Sequence, residues 1–151
     1  MGLKVGDQVP HFTLNDQDGI PFDISDHIGK KHLVIFFYPK DNTPGCTMEV
    51  CSFRDSYEEF TERGAMVIGI SGDSENSHRK FASKYKLPFT LLADQQNKVR
   101  KLFKVEGKVF NLLPGRETYL VDKTGTVVMV FNSVSASHHM KKALNALKKQ
   151  E

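Results

Sequence analysis

Thiols are scarce in this chain: 151 residues contain only two cysteines, Cys46 and Cys51. Two cysteines do not make a disulfide scaffold, and a domain of this length needs none to hold its core. Long apolar runs are missing too. No stretch approaches the roughly 20 residues of a membrane helix. Met1–Gly6 is followed by no apolar segment of the signal-peptide kind. A mature form from which a targeting segment has been cut is also compatible with that observation. Internal repeats and low-complexity linkers are absent, so residues 1–151 are expected to form one domain. An excess of one charge is also lacking. The net charge is +3, with Lys and Arg scattered among Asp and Glu. The densest basic pairs, Lys141-Lys142 and Lys148-Lys149, have no interleaved aromatics to stack bases. They are expected to form a solvated helix face, with no nucleic-acid partner.

The chain does contain a clear alternation of elements. Phe12–Asn15 is a strand candidate, Asp16–Gly19 its turn, and Phe22–Ile24 pairs back with it. The apolar run Leu33-Val34-Ile35-Phe36-Phe37 reads as a buried strand, His32 to Tyr38, which Pro39 ends because proline cannot donate to a ladder. From Gly45 to about Glu62, Val50, Phe53, Tyr57 and Phe60 recur at helical spacing, and Gly64 stops the helix. Ala65–Ser71 is the next buried strand. Ser74 and Ser77 offer N-caps for a helix to about Tyr85. A strand over Pro88–Ala93 and a short helix over Lys98–Phe103 follow. Thr118–Val121 and Thr126–Phe131 form a hairpin around Asp122–Gly125. An amphipathic helix from about Ser137 to Lys149 closes the chain, with Met140, Leu144 and Leu147 on one side. This order predicts a thioredoxin-like α/β fold: a central mixed β-sheet flanked by helices, with an N-terminal β-hairpin extension.

Four chemistries compete for the cysteine pair. Zinc wants about four ligands; Cys46 and Cys51 supply two, and the adjacent His138 and His139 point in different directions on a helix. Thioredoxin-type exchange uses Cys-x-x-Cys, whereas four residues intervene here. Two inert core thiols or a structural staple is the plainest alternative. The fourth is a reactive thiol with a partner. Cys46 falls at a helix start, where unpaired backbone N–H groups and the macrodipole favour an anion. Thr43 can donate a hydrogen bond to sulfur or to a substrate oxygen, and Pro39 and Pro44 stiffen the loop. On one regular helix, five residues separate the two Cα atoms by roughly 8 to 9 Å. A disulfide needs less than about 7 Å. A permanent staple makes little sense there; a pair that bonds only when the helix unwinds makes good sense.

Pro39, Thr43 and Cys46 match the Pro-x3-Thr-x2-Cys signature of the peroxiredoxins. The wider string from Phe37 to Asp55, together with Val67–Asp73, Phe81–Leu92 and Leu113–Tyr119, resembles the peroxiredoxin Q group, also called bacterioferritin comigratory protein. The resemblance covers nearly the whole chain. It implies a thiol peroxidase acting on hydrogen peroxide and organic hydroperoxides. Cys46 would attack the peroxide and become a sulfenic acid. Cys51 would resolve it as an intramolecular disulfide, and thioredoxin or a glutaredoxin-like dithiol donor would reduce that disulfide. Thr43 would orient sulfur and peroxide, Arg116 would stabilise the thiolate and developing oxyanion, and Pro39 would complete the site. Glu49 reads as either a site hydrogen-bonder or a solvated helix residue. Arg54 with Asp55 reads as structural, Tyr38 and Phe53 as an apolar wall, and His138 and His139 as a polar helix start. No cofactor, metal or membrane is expected. A monomer is expected, in a bacterial cytoplasm or as a mature plastid form. A non-enzymatic redox switch or holdase on the same fold is the competing function. The presence of both Thr43 and Arg116, which a mere switch does not need, argues against it.

Overall fold

Leu33 to Phe37 holds no polar residue because the strand it forms is covered on both faces. In the computed structural model of the chain, which describes residues 2–105 and 115–150, the elements follow in order. They are β1 (Thr13–Asp16), β2 (Pro21–Asp23), a short 3-10 turn (Ile24–Asp26), β3 (His32–Phe37), α1 (Pro44–Asp55), α2 (Tyr57–Glu62) and β4 (Ala65–Ser71). Then come α3 (Glu75–Tyr85), β5 (Thr90–Ala93), α4 (Lys98–Leu102), β6 (Glu117–Val121), β7 (Val127–Asn132) and α5 (His139–Lys148). One seven-stranded sheet runs β2-β1-β5-β4-β3-β6-β7. The β3–β4 and β4–β5 pairs are parallel and the others antiparallel. This is the thioredoxin-like mixed sheet that the element order predicts. The N-terminal hairpin is built into it, because β1 also pairs with β5 at Asn15↔Ala93 and Asp16↔Leu92.

Strand β3 alternates between two cores. Val34 and Phe36 face Cys46, Val50, Phe53, Phe60, Leu144 and Leu147. Leu33, Ile35 and Phe37 face Ile68, Ile70, Phe103 and Tyr119. A strand buried on both sides reads as a continuous apolar run, which is why no alternation shows in the sequence. Val50 and Phe53 are fully buried, each contributing roughly 1.5–3 kcal/mol. The Phe53 ring stacks on Phe36 at 4.5 Å, which fixes α1 against the sheet. Gly69 of β4 makes room for that Phe36 ring: a Cβ there would stand 2.7 Å from Phe36 Cζ.

The expected helix from Gly45 to Glu62 is two helices. It breaks at Ser56, whose ψ of 9° leaves the helical range, and no Gly or Pro marks the break. Gly64 ends the second piece with φ +74°. Ser74, not Ser77, caps α3, accepting from the Ser77 N–H at 3.1 Å. Helix α5 starts at His139, two residues later than expected. Leu113 and Pro114, part of the Leu113–Tyr119 match, lie outside the described residues.

Candidate active site

Pro39 ends the pairing of β3, and the chain turns through Lys40–Asn42 into α1. Asn42 takes the left-handed conformation, φ +64°, which costs energy for a residue with a Cβ. Asp41 holds the turn in place. Its buried carboxylate accepts from Tyr38 Oη at 2.6 Å and Ser77 Oγ at 2.8 Å, and it lies 2.7 Å from His78 Nδ1. Its backbone N–H donates to Asp73 Oδ2 at 2.8 Å. The other ring nitrogen of His78 donates to the Leu92 carbonyl at 3.0 Å. Only Tyr38 among the partners of Asp41 is local; Asp73, Ser77 and His78 lie more than thirty positions away.

Thr43 is the N-cap residue of α1 and Pro44 its first residue. The first intrahelical bond runs from Thr47 N–H to the Thr43 carbonyl at 2.9 Å. The N–H groups of Gly45 and Cys46 lie ahead of that bond, as orphan donors at a helix start do. The Thr43 hydroxyl donates to the Lys40 carbonyl at 2.9 Å, where donation to sulfur or to a substrate oxygen was expected. That bond leaves its oxygen free to accept.

Cys46 is buried, with 1% of its surface exposed. Its face of α1 continues through Glu49, Val50 and Phe53, the three-and-four spacing of one helix side. Arg116 meets that face from the segment leading into β6. Its Nη2 lies 3.5 Å from Cys46 Sγ, its Nη1 donates to Glu49 Oε1, and its Nε donates to the Val134 carbonyl at 3.3 Å. One planar fork thus addresses the sulfur and the carboxylate together. Gly45 lies beside it: a Cβ there would stand 3.4 Å from Nη2, an ordinary contact. Burial works against the Arg116 charge, but Glu49 and Cys46 outweigh it and raise its pKa.

Glu49 is no solvated helix residue; it is fully buried. Burial raises its pKa from 4.5 to about 7, against the pull of Arg116. Its Oε1 is paired and its Oε2 has no hydrogen-bond partner among the described residues. His139 Nδ1 lies 3.8 Å from Oε2. His139 likewise departs from the expected polar helix start. It is fully buried, while His138 beside it is exposed at the N-cap with φ +74°. His139 Nε2 donates to the Ser133 carbonyl at 3.1 Å, and Nδ1 then accepts from Thr118 Oγ1 at 2.8 Å. That is a neutral ring, and burial lowers its pKa from 6.5 to about 4. Only burial distinguishes these adjacent histidines, and burial is not written in the sequence.

Cys51 is half-buried on the same helix, and both cysteines are free thiols. Arg54, three positions on, bonds Asp55 and the Tyr85 carbonyl, each at 2.9 Å. Tyr38 and Phe53 line the core beside Cys46, as expected of an apolar wall.

The AhpC/TSA family model matches residues 5–130. The chain belongs to the AhpC/TSA family. It is 57% identical over 128 residues to a chloroplastic peroxiredoxin Q of Sedum lineare, a match covering 85% of this chain and 68% of that one. The chain spans between 60% and 68% of the length of the plant peroxiredoxin Q relatives it matches. A peroxidoxin of Mycobacterium tuberculosis superposes with TM-score 0.91 at 38% identity, covering 99% of both chains. A bacterioferritin comigratory protein of Xanthomonas campestris, whose structure was determined for its alkyl peroxide reduction, superposes with TM-score 0.85 at 33% identity. That match covers 92% of this chain and 91% of the other. Among the described residues, no helix is long and apolar enough to cross a membrane.

Proposed function

We propose that the protein is a thiol peroxidase in which Cys46 reduces hydrogen peroxide and organic hydroperoxides. The observation that carries this reading is the Arg116 fork, which faces Cys46 Sγ with one nitrogen and is held by Glu49 through the other. A fixed cation beside sulfur, together with the unused N–H groups at the start of α1, favours a thiolate and awaits the charge that develops on a departing oxygen. A redox switch would need no such alignment.

The sulfur of Cys46 attacks one peroxide oxygen, and the O–O bond breaks. Sulfur is oxidised to sulfenic acid; the other oxygen leaves as alkoxide or hydroxide and takes a proton from water, giving alcohol or water. Pro39 shapes the turn, and the Thr43 oxygen accepts a hydrogen bond from the incoming hydroperoxide. Cys51 then displaces hydroxide from the sulfenic sulfur. A disulfide forms and one water leaves. With both residues on α1, this step requires the helix to unwind between them. A dithiol donor of the thioredoxin or glutaredoxin kind restores both thiols by exchange. The chain works as a single-domain monomer, since Cys46 and Cys51 lie on one helix and no second subunit has to supply a thiol. A reducing aqueous compartment, a bacterial cytoplasm or a plastid, suits this cycle.

The test is peroxide-driven oxidation of a donor dithiol. Cys46→Ser should abolish it. Cys51→Ser should stop turnover by dithiol proteins yet permit one round of Cys46 oxidation. Full activity in Cys46→Ser removes the assignment.

A further inference from the structure

Arg100 is a buried cation outside the peroxiredoxin signature, and its place in the fold is unusual. Helix α4 is fixed at its start by Asp94, whose carboxylate accepts from the Val99 N–H at 3.2 Å and the Arg100 N–H at 2.9 Å. From there the Arg100 side chain runs inward, 7% exposed. Its guanidinium lies 5.5 Å from the Phe37 ring centroid. Its Nη2 donates to the Tyr38 carbonyl at 2.9 Å and its Nη1 to the Gly115 carbonyl at 2.7 Å. Burial lowers its pKa, and Asp94, Glu117 and Cys46 act against that. A buried cation is expensive, so these contacts have to hold it.

Those two carbonyls mark a junction. The antiparallel ladder between β3 and β6 ends at Phe37↔Glu117. Beyond it the chains part: one leads through Pro39 to Cys46, the other carries Arg116. Arg100 bridges the gap where the ladder stops, by side-chain bonds to both chains. The bridge is two-pronged, so it sets a separation and not merely an attraction. Tyr38 is gripped at both ends, at its carbonyl by Arg100 and at its hydroxyl by Asp41.

We propose that Arg100 is a positioning residue for the peroxidase reaction, setting the distance between Arg116 and the Cys46 sulfur by clamping the Tyr38 and Gly115 carbonyls. This rests on Cys46 being the peroxide-attacking thiol. Lysine keeps the charge but has a single nitrogen, which cannot span both carbonyls. Arg100→Lys should therefore slow Cys46 oxidation by hydrogen peroxide about tenfold in stopped flow. Its alkylation by iodoacetamide at about pH 10, above the ordinary thiol pKa of about 8.5 so that ionisation no longer depends on Arg116, should stay within twofold of the parent. Arg100→Met, if it folds by circular dichroism and thermal melting, should slow the peroxide reaction more strongly than Arg100→Lys. A peroxide rate within twofold of the parent in Arg100→Lys overturns the proposal. So does an equal loss in both assays, which marks a merely structural role. A parent protein that peroxide does not oxidise at Cys46 defeats the peroxidase reading instead.

Discussion

Glu49 and Arg116 form an ion pair from which solvent is excluded, and Glu49 stands on α1 between the two cysteines. The stretch of α1 that has to unwind for Cys51 to reach Cys46 lies between them and includes Glu49. In the proposed cycle, disulfide formation would therefore disturb the Arg116–Glu49 pair as well as the helix.

Arg116 is the group most exposed to test. Arg116→Met removes the cation facing sulfur and leaves Glu49 buried without its partner. The rate of Cys46 oxidation by peroxide should fall by roughly 10²- to 10³-fold, the usual effect of losing one oxyanion-stabilising donor. Stopped-flow measurement under single-turnover conditions checks it.

Thr43 fastens the start of α1 through its bond to the Lys40 carbonyl. Thr43→Val keeps the shape and removes the hydroxyl. The peroxide rate should drop about tenfold, the worth of one hydrogen bond of about 1.4 kcal/mol, and Thr43→Ser should restore most of it. Equal rates for the Val and Ser variants would remove the hydroxyl from the mechanism.

Glu49 and His139 pull the pH dependence of stability in opposite directions. Glu49 has a raised native pKa, about 7 against 4.5. Its contribution is full below 4.5 and is lost as pH rises to about 7. His139 has a depressed native pKa, about 4 against 6.5. Its contribution is full above 6.5 and is lost as pH falls to about 4. Between about 4.5 and 6.5 the two slopes cancel, each being worth on the order of 3 kcal/mol across its window. Relative to the parent, Glu49→Gln should gain stability as pH rises through that window, and His139→Asn should lose it. Urea unfolding at about pH 5 and about pH 6.5 measures both. Parallel profiles for the two variants would contradict the assignment.

Met48 lies on the exposed side of α1, between the cysteines and clear of the Arg116 contacts. Met48→Gly should weaken the helix by about 1 kcal/mol and so speed disulfide formation about fivefold. A shorter-lived sulfenic acid is also less exposed to further oxidation, so this variant should keep its activity at peroxide concentrations that inactivate the parent. Mass spectrometry of Cys46 after a peroxide pulse reads both effects.

Short-range patterns made much of this legible. The Leu33–Phe37 run announces the central strand, because a strand buried on both faces must be apolar throughout. Pro39 and Thr43 mark the loop, and the 46-to-51 spacing on one helix predicts a pair that cannot bond while the helix is intact. The break at Ser56 left no trace, since it involves neither Gly nor Pro. Asp41 and Arg100 were equally silent, because Asp73, Ser77 and His78 reach the one, and the Tyr38 and Gly115 carbonyls the other, from far along the chain.

The sequence alone thus determined the order of strands and helices and the two thiols at the start and middle of one helix. Those properties depend on neighbours within a few positions. Only the tertiary structure decided that Glu49 is buried and paired rather than solvated, and that His139 lies inside while His138 lies outside. It also decided that Arg116 reaches sulfur and carboxylate with one fork. Burial and charge pairing depend on which surfaces meet, and residues 49, 116 and 139 meet only when α1, the entry to β6 and α5 pack together.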